Sequence, residues 1–368
     1  MHSKNLFRPL YREALDPNFA VAGADTSLQW HNALNFTIEG RGWSDSMLVA
    51  PFDRLPAKAE PLVRKEVWEL SRHSSGIYVS FETDASEISA EWTVTNPNLA
   101  MNHMPATGVS GLDLYVKDKG EWKWLGVARP VKSPTNSLQL ASGIPSVAGV
   151  LKEYRLYLPL YNGVSGLTIG IPKSAIIKSL PLSKSKSVLF YGTSITQGGC
   201  ASRPGMSYTS ILGRMLNLSV VNLGFSGNGQ AEKEVAELIS ELNPDIYVLD
   251  PIPNVNPSQI EDRLPDFVRT LRYFHPDTPI LLIESIIPTF DHMQDGSRSD
   301  HRLRNEALRK VAAELMKEFT AIYYLGGDKL LGKDTEGTVD GIHPNDLGFF
   351  RIAEVVKPEL KKILSKLK

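Results

Sequence analysis

The sequence predicts an α/β protein in two parts: an antiparallel β-sandwich of jelly-roll type, followed by a three-layer αβα unit built on a parallel sheet. Three observations predict it. Short alternating runs broken by turn residues fill roughly residues 76–171, with no long helical pattern between them. After Pro181, apolar strands and amphipathic helical patterns alternate five times. Between the two parts, "SLPLSKSKS" from Ser179 to Ser187 is polar and unpatterned. A chain of 368 residues is also too long for one typical core. The expected units are a β-domain over 1–180, a linker over 181–186 and a second domain over 187–368. The first sixty or so residues are mixed and predict no element.

In the first part, "GIYVSFETD" places Ile77, Val79 and Phe81 on one face, and "EISAEWTVT" does the same with Ile88, Ala90, Trp92 and Val94. "GLDLYVKDKGEWKWLGVA" reads as a hairpin turning at Asp118-Lys119-Gly120. "EYRLYLPLYNGVSGLTIGI" reads as a further strand pair around Asn162-Gly163. In the second part, strands are expected near 187–192, 219–225, 245–252, 279–287 and 322–327. The first contains Val188 to Tyr191, four consecutive apolar or aromatic residues, the pattern of a strand buried on both faces. "QAEKEVAELISEL", "DHRLRNEALRKVAAELMKEF" and the closing "IAEVVKPELKKILSKLK" carry apolar residues at helical spacing.

Composition narrows the function classes. The chain is 42% hydrophobic and 22% charged, ordinary for a globular protein. With 40 basic against 41 acidic residues and no long basic run, neither nucleic acid nor an anionic membrane is an expected partner. The single cysteine, Cys200, rules out an internal disulfide framework and any multi-cysteine metal site, and reads as a small packing residue. No apolar run is long enough to span a membrane, and "MHSKNLFRPLYREALD" lacks the apolar core of a signal peptide. That fits a cytoplasmic protein, or a secreted one whose leader has been removed. No cofactor is expected: there is no Walker stretch, and Gly-x-x-Gly-x-Gly in "NLGFSGNG" does not match the dinucleotide fingerprint. Nor is a metal, since there is no His-Glu-x-x-His and His301, after Asp300, has no accompanying ligand set.

In open parallel sheets, ligands bind outside the carboxyl ends of the strands. Four stretches fall there: Gly192-Thr193-Ser194, "NLGFSGNG" (Asn222 to Gly229), "DPIPNVNP" (Asp250 to Pro257) and "DGIHPND" (Asp340 to Asp346). Together they can supply the parts of an acyl-transfer site. Ser194 on a sharp strand-to-helix turn is a candidate nucleophile. Taken alone, the turn has an equally ordinary reading, a hydroxyl capping the next helix. His343 is a candidate base, with Asp340 three residues earlier able to hold one imidazole nitrogen in its protonated form. Gly227 suits a place where backbone approaches a ligand, and Asn254 offers an amide donor. Each also has a bland reading as a turn or cap residue. Their shared position at one sheet edge is what favours the chemical reading.

"GTSITQGG", "NLGFSGNG", the Pro-Asn after the third strand and "DGIHP" resemble the four blocks of the SGNH (GDSL-like) hydrolases, over roughly Ser187 to the C-terminus. The resemblance implies a flavodoxin-like SGNH hydrolase fold. It also implies Ser194 as nucleophile, Asp340 and His343 as the Asp-x-x-His pair, and Gly227 and Asn254 as oxyanion donors beside the N–H of Ser194. Upstream, "SGLDLYVKDKGEWKWLG" resembles the Gly-x-Asp-Leu-Tyr motif of a β-domain found ahead of some SGNH esterases. Two departures stand out. The first block reads Gly-Thr-Ser rather than Gly-Asp-Ser, and the third reads "IPNV" rather than Gly-x-Asn-Asp, which makes Asn254 the weakest match.

The resemblance implies a serine esterase acting on a small-molecule or carbohydrate ester, with acetyl on carbohydrate the favoured group. A long-chain lipase fits less well, since no greasy lid segment is visible. Two other classes remain: an acyltransferase, and a carbohydrate-binding or scaffold protein with an inactive hydrolase half. Trp122 and Trp124 share one strand face and read as core more readily than as a sugar platform. The loop Met101 to Gly111 is long enough to reach the catalytic edge, which would bring His103 to the pocket.

Overall fold

The computed structural model describes residues 27–293 and 300–367; the opening "MHSKNLFRPLYREALD" lies outside them. Alternating apolar residues build the first part. β1 (Leu28–Asn32), β9 (Val164–Pro172), β4 (Ile88–Val94) and β7 (Thr135–Ala141) pair in that order, antiparallel throughout. The second sheet runs β10 (Ile177–Ser179), β3 (Tyr78–Thr83), β8 (Lys152–Tyr157), β5 (Leu112–Asp118) and β6 (Glu121–Ala128), with β2 (Thr37–Glu39) also on β3. Val79 and Phe81 from one sheet, with Ile77 just before it, share a buried cluster with Ile88, Ala90, Trp92 and Val94 from the other. The alternation therefore reads out as the inner faces of a sandwich. The β5–β6 hairpin turns at Lys119 and Gly120, whose φ values of +51° and +84° suit a two-residue hairpin.

Two expectations are corrected here. The runs flanking Asn162-Gly163 do not pair, because β8 and β9 belong to different sheets. Asn162 is fully buried; its amide donates to Asn96 O and Ser110 Oγ, both at 2.9 Å, and accepts from Asn96 N at 2.9 Å. The residue anchors a crossing between sheets and does not cap a hairpin. Of the two tryptophans, Trp122 is partly buried against the cluster of Tyr78, Tyr115 and Tyr157, and Trp124 is not core. Trp124 is half exposed, with the Arg203 guanidinium 5.0 Å from its ring, while Arg155 lies 4.2 Å from Trp122.

The second part is a five-stranded parallel sheet ordered β12 (Ser219–Gly224), β11 (Ser187–Gly192), β13 (Ile246–Asp250), β14 (Ile280–Ile283), β15 (Ile322–Leu325). That order is the flavodoxin-like one, with its switch point beside β11. Leu189 and Tyr191 pack under the helices Lys233–Ile239, Pro257–Phe274 and Asp300–Glu318. Val188 and Phe190 pack on the opposite face, under Tyr208–Leu216 and Asp346–Leu364. Both faces are covered, as the unbroken apolar run requires. β14 and β15 end four and two residues before the expected limits. Among the described residues, no helix is long and apolar enough to cross a membrane.

The early segment that predicts no element joins the two parts. Trp43, Leu55, Ala59 and Val67 belong to the cluster beneath the parallel sheet. Arg54, fully buried, donates to the carbonyls of Leu70 (2.6 Å), His73 (2.8 Å), Asn222 (3.2 Å) and Gly224 (2.6 Å). Burial pulls its pKa down to about 9, and the cation binds carbonyl dipoles at the end of β12.

Candidate active site

The turn that carries Ser194 follows from a few side chains. A Cβ on Gly192 would lie 2.1 Å from Thr196 Oγ1 and 2.7 Å from Asp250 O, so only glycine lets β11 end this close to its helix. Thr193 is the cap of the one-turn helix Ser194–Gln197, its hydroxyl accepting from Ile195 N at 3.3 Å. The two readings of this turn thus fall on adjacent residues. Thr193 caps the helix, and the Ser194 hydroxyl meets His343 instead. Thr193 is also fully buried, a position where a neutral hydroxyl avoids the desolvation of a carboxylate.

Ser194 Oγ lies 3.0 Å from His343 Nε2, and His343 Nδ1 lies 2.7 Å from Asp340 Oδ2. Asp340 Oδ1 accepts from the backbone N–H of His343 (2.7 Å) and of Ile342 (3.0 Å). Burial alone would raise this carboxyl; the His343 side chain and these two N–H groups outweigh it and hold the pKa below the usual value. The carboxylate therefore stays ionised and fixes Nδ1 as the protonated nitrogen, leaving Nε2 to accept from Ser194. Asn345 caps the helix that follows, accepting from Gly348 N at 3.0 Å, which ends the loop just beyond His343. The sheet joins residues 149 apart in sequence.

The other two strand ends meet beside the Ser194 turn. Gly227 has φ +69° with nothing within 4 Å of a Cβ placed on it, so the space at its side-chain position is open. Gln197 Oε1 accepts from the neighbouring Ser226 N at 3.0 Å, tying this loop to the nucleophile helix. Asn254 reaches the same loop. In the orientation its surroundings favour, its oxygen accepts from the N–H groups of Asn228 (3.0 Å) and Gly229 (3.3 Å). Its NH2 is then on the far side of the amide. The N–H of Ser194 sits in a first helical turn, where no intrahelical acceptor exists. These three groups thus sit on turns that follow β11, β12 and β13.

The β part supplies one wall. His103 sits on the loop that was expected to reach this edge, its ring centroid 5.6 Å from that of His343. Thr107 on the same loop donates to Ser202 O at 2.5 Å. The Gly-x-Asp-Leu-Tyr stretch anchors the wall: buried Asp113 pairs with Arg203 Nη1 at 2.7 Å and accepts from Gly205 N and Trp124 Nε1, both at 2.8 Å. Cys200 is buried, and that burial, reinforced by the charge of Asp340, pushes its thiol up to about 12. Sequence reasoning left out Arg54, Gln197 and the Asp113–Arg203 pair. Gln197 lies within the quoted nucleophile stretch, but its partner Ser226 is 29 residues away, a contact no local pattern predicts.

Residues 185–361 match the model of the GDSL-like lipase/acylhydrolase family, and residues 28–177 match that of the N-terminus of SGNH-type esterases. A candidate GDSL-like lipase of Bacteroides ovatus shares 37% identity at a TM-score of 0.85, covering 92% of this chain and 98% of its own. Two more distant structures share the fold. A salicylyl-acyltransferase from a tetracycline biosynthetic pathway has 21% identity and a TM-score of 0.68, covering 94% of this chain and 97% of its own. An acetyl xylan esterase of Butyrivibrio proteoclasticus has 14% identity and a TM-score of 0.58, covering 93% of this chain and 100% of its own. No curated protein matches the sequence. Fold and family together define an ester-hydrolysing enzyme. The chain belongs to the GDSL-like lipase/acylhydrolase family, in the branch with the N-terminal β-domain.

Proposed function

We propose that the chain is a serine esterase that removes small acyl groups, acetyl foremost, from carbohydrate or another small-molecule ester. The observation that carries this reading is the unbroken line from Asp340 through His343 to Ser194, at 2.7 and 3.0 Å. Ser194 Oγ attacks the ester carbonyl while His343 Nε2 takes its proton, and Asp340 stabilises the imidazolium. The N–H groups of Ser194 and Gly227 and the Asn254 amide receive the developing oxyanion. His343 returns the proton to the departing alcohol, and the acyl group rests on Ser194. Water, deprotonated by His343, then attacks the acyl-enzyme and regenerates the hydroxyl.

The open space at Gly227 supports an acyl group lying beside the oxyanion donors. Support for a carbohydrate ester comes from the shared fold of family two carbohydrate esterases, one of them solved with cellohexaose, and of the acetyl xylan esterase. One observation favours a second reading, acyl transfer. The salicylyl-acyltransferase superimposes with a higher TM-score than those esterases.

The test is hydrolysis of p-nitrophenyl acetate through palmitate by wild type and Ser194→Ala, followed by acetylated xylan fragments. The reading expects acetate to be fastest, a steep fall with chain length and no turnover by the variant. Equal non-zero rates in both proteins would sink it. A free sugar hydroxyl outcompeting water for the acyl group would move the assignment to transferase.

A further inference from the structure

One cluster of metal-ligating side chains overlaps this site. A ring nitrogen of His103, the sulfur of Cys200 and a ring nitrogen of His343 all lie within 4.8 Å of one another. They come from three separate segments, each held from behind. The His103 loop is closed by Met101 N to Met104 O (3.0 Å) and the reverse bond (3.1 Å). Cys200 sits between Gly198 and Ser202, whose N–H is held by Asp346 Oδ1 at 2.8 Å. His343 is held through Nδ1 by Asp340 at 2.7 Å.

Two imidazoles and a thiol are a donor set for a borderline-soft cation rather than for Mg2+ or Ca2+. Zinc at about 2.3 Å from sulfur and about 2.0–2.1 Å from nitrogen, in tetrahedral geometry, needs donors somewhat closer than the observed limit. Side-chain rotation covers that difference, since His103 is exposed. The same exposure gives an ion its way in. A carboxylate on the far nitrogen of a metal-binding imidazole is also how such ligands are usually oriented, and Asp340 already occupies that place.

We propose that His103, Cys200 and His343 form a zinc-type site whose occupancy switches the hydrolase off by taking His343 Nε2 away from Ser194. The fourth position would hold water. Coordination replaces the Cys200 thiol proton, which passes to solvent, and no oxidation state changes. The switch rests on the reading of His343 as the catalytic base; the metal site itself does not.

The experiment titrates the full chain with zinc chloride by calorimetry, in a buffer that does not chelate, for wild type, Cys200→Ser and His103→Ala. Hydrolysis of p-nitrophenyl acetate is followed in parallel. The expected result is one zinc per chain, affinity reduced by about tenfold or more in each variant, and hydrolysis falling with occupancy and returning with a chelator. Without zinc, Cys200→Ser should hydrolyse at the wild-type rate, His103→Ala is read by zinc binding alone, and a thermal melt checks that each is folded. No zinc binding by wild type, or binding unchanged in both variants, overturns the site. Zinc bound at this site with hydrolysis intact overturns the switch. The calorimetry needs no turnover, so failure of the site is separable from failure of the Ser194 reading.

Discussion

In the α/β half, Ser194, Gly227 and Asn254 each follow a parallel strand, so hydrogen-bond register between β11, β12 and β13 sets how they meet. In the β half, His103 and Asp113 reach the same region from a loop and a strand, and side-chain contacts to Arg203 and Ser202 hold them there. The first arrangement is positioned by backbone, the second by a buried charge and a few hydroxyls. Substitutions at the strand ends should therefore change rates while leaving stability alone. Substitutions along Asp113–Arg203 should loosen the docking first and affect rate as a consequence.

The largest effect that separates the two is Ser194→Ala, with a loss in kcat on the order of 10⁶-fold and a melting temperature near that of wild type. Asp340→Asn should follow at about 10⁴-fold, because Asn cannot hold His343 in the required tautomer. Asp113→Ala tests the other side. It strands Arg203 beside a buried gap and should cost about 3–5 kcal/mol of stability, read by denaturant unfolding. A variant with full stability and lost activity would erase the distinction between the halves. Asn254→Ala should lower kcat by about 10²–10³-fold with KM nearly unchanged, and a smaller effect would remove Asn254 from the oxyanion site.

The gentlest effect is a slope. Burial pushes the Asp250 carboxyl up to about 7, against hydrogen bonds from Thr196 and Tyr208. Between the unfolded value near 3.9 and about 7, the folded chain holds a proton that the unfolded chain has released. Stability from this group therefore declines as pH rises through that window, by at most about 1.4 kcal/mol per pH unit. Asp250→Asn should flatten that part of the profile in denaturant titrations at a series of pH values.

Much of the fold and most of the site can be read in the sequence because both depend on local pattern. Alternation fixes the inner faces at Phe81 and Trp92, the end of β11 marks the turn at Ser194, and Asp-x-x-His before the last helix marks His343. What is not legible depends on side chains whose partners are distant. Asn162 reads as a turn residue until Asn96 and Ser110 are seen to take its amide. Trp43 and Leu55 lie in loops and Val67 in one short helix, with no repeating period, so nothing local assigns them to the parallel sheet. Trp122 and Trp124 share a face in sequence, yet Trp122 packs between buried tyrosines and Arg155 while Trp124 is half exposed under Arg203. The length of the 101–111 loop makes the approach of His103 readable in sequence, while the docking of the sandwich that seats it beside His343 is encoded by no motif.

The central claim is that Ser194 is a nucleophile made reactive by His343. The most direct measurement is mass spectrometry of the chain after treatment with a fluorophosphonate, comparing wild type with His343→Ala. The account predicts one phosphonyl group on the peptide containing Ser194 in wild type and a much slower reaction in the variant. A label on another residue, or equal labelling of Ser194 in both proteins, would contradict it.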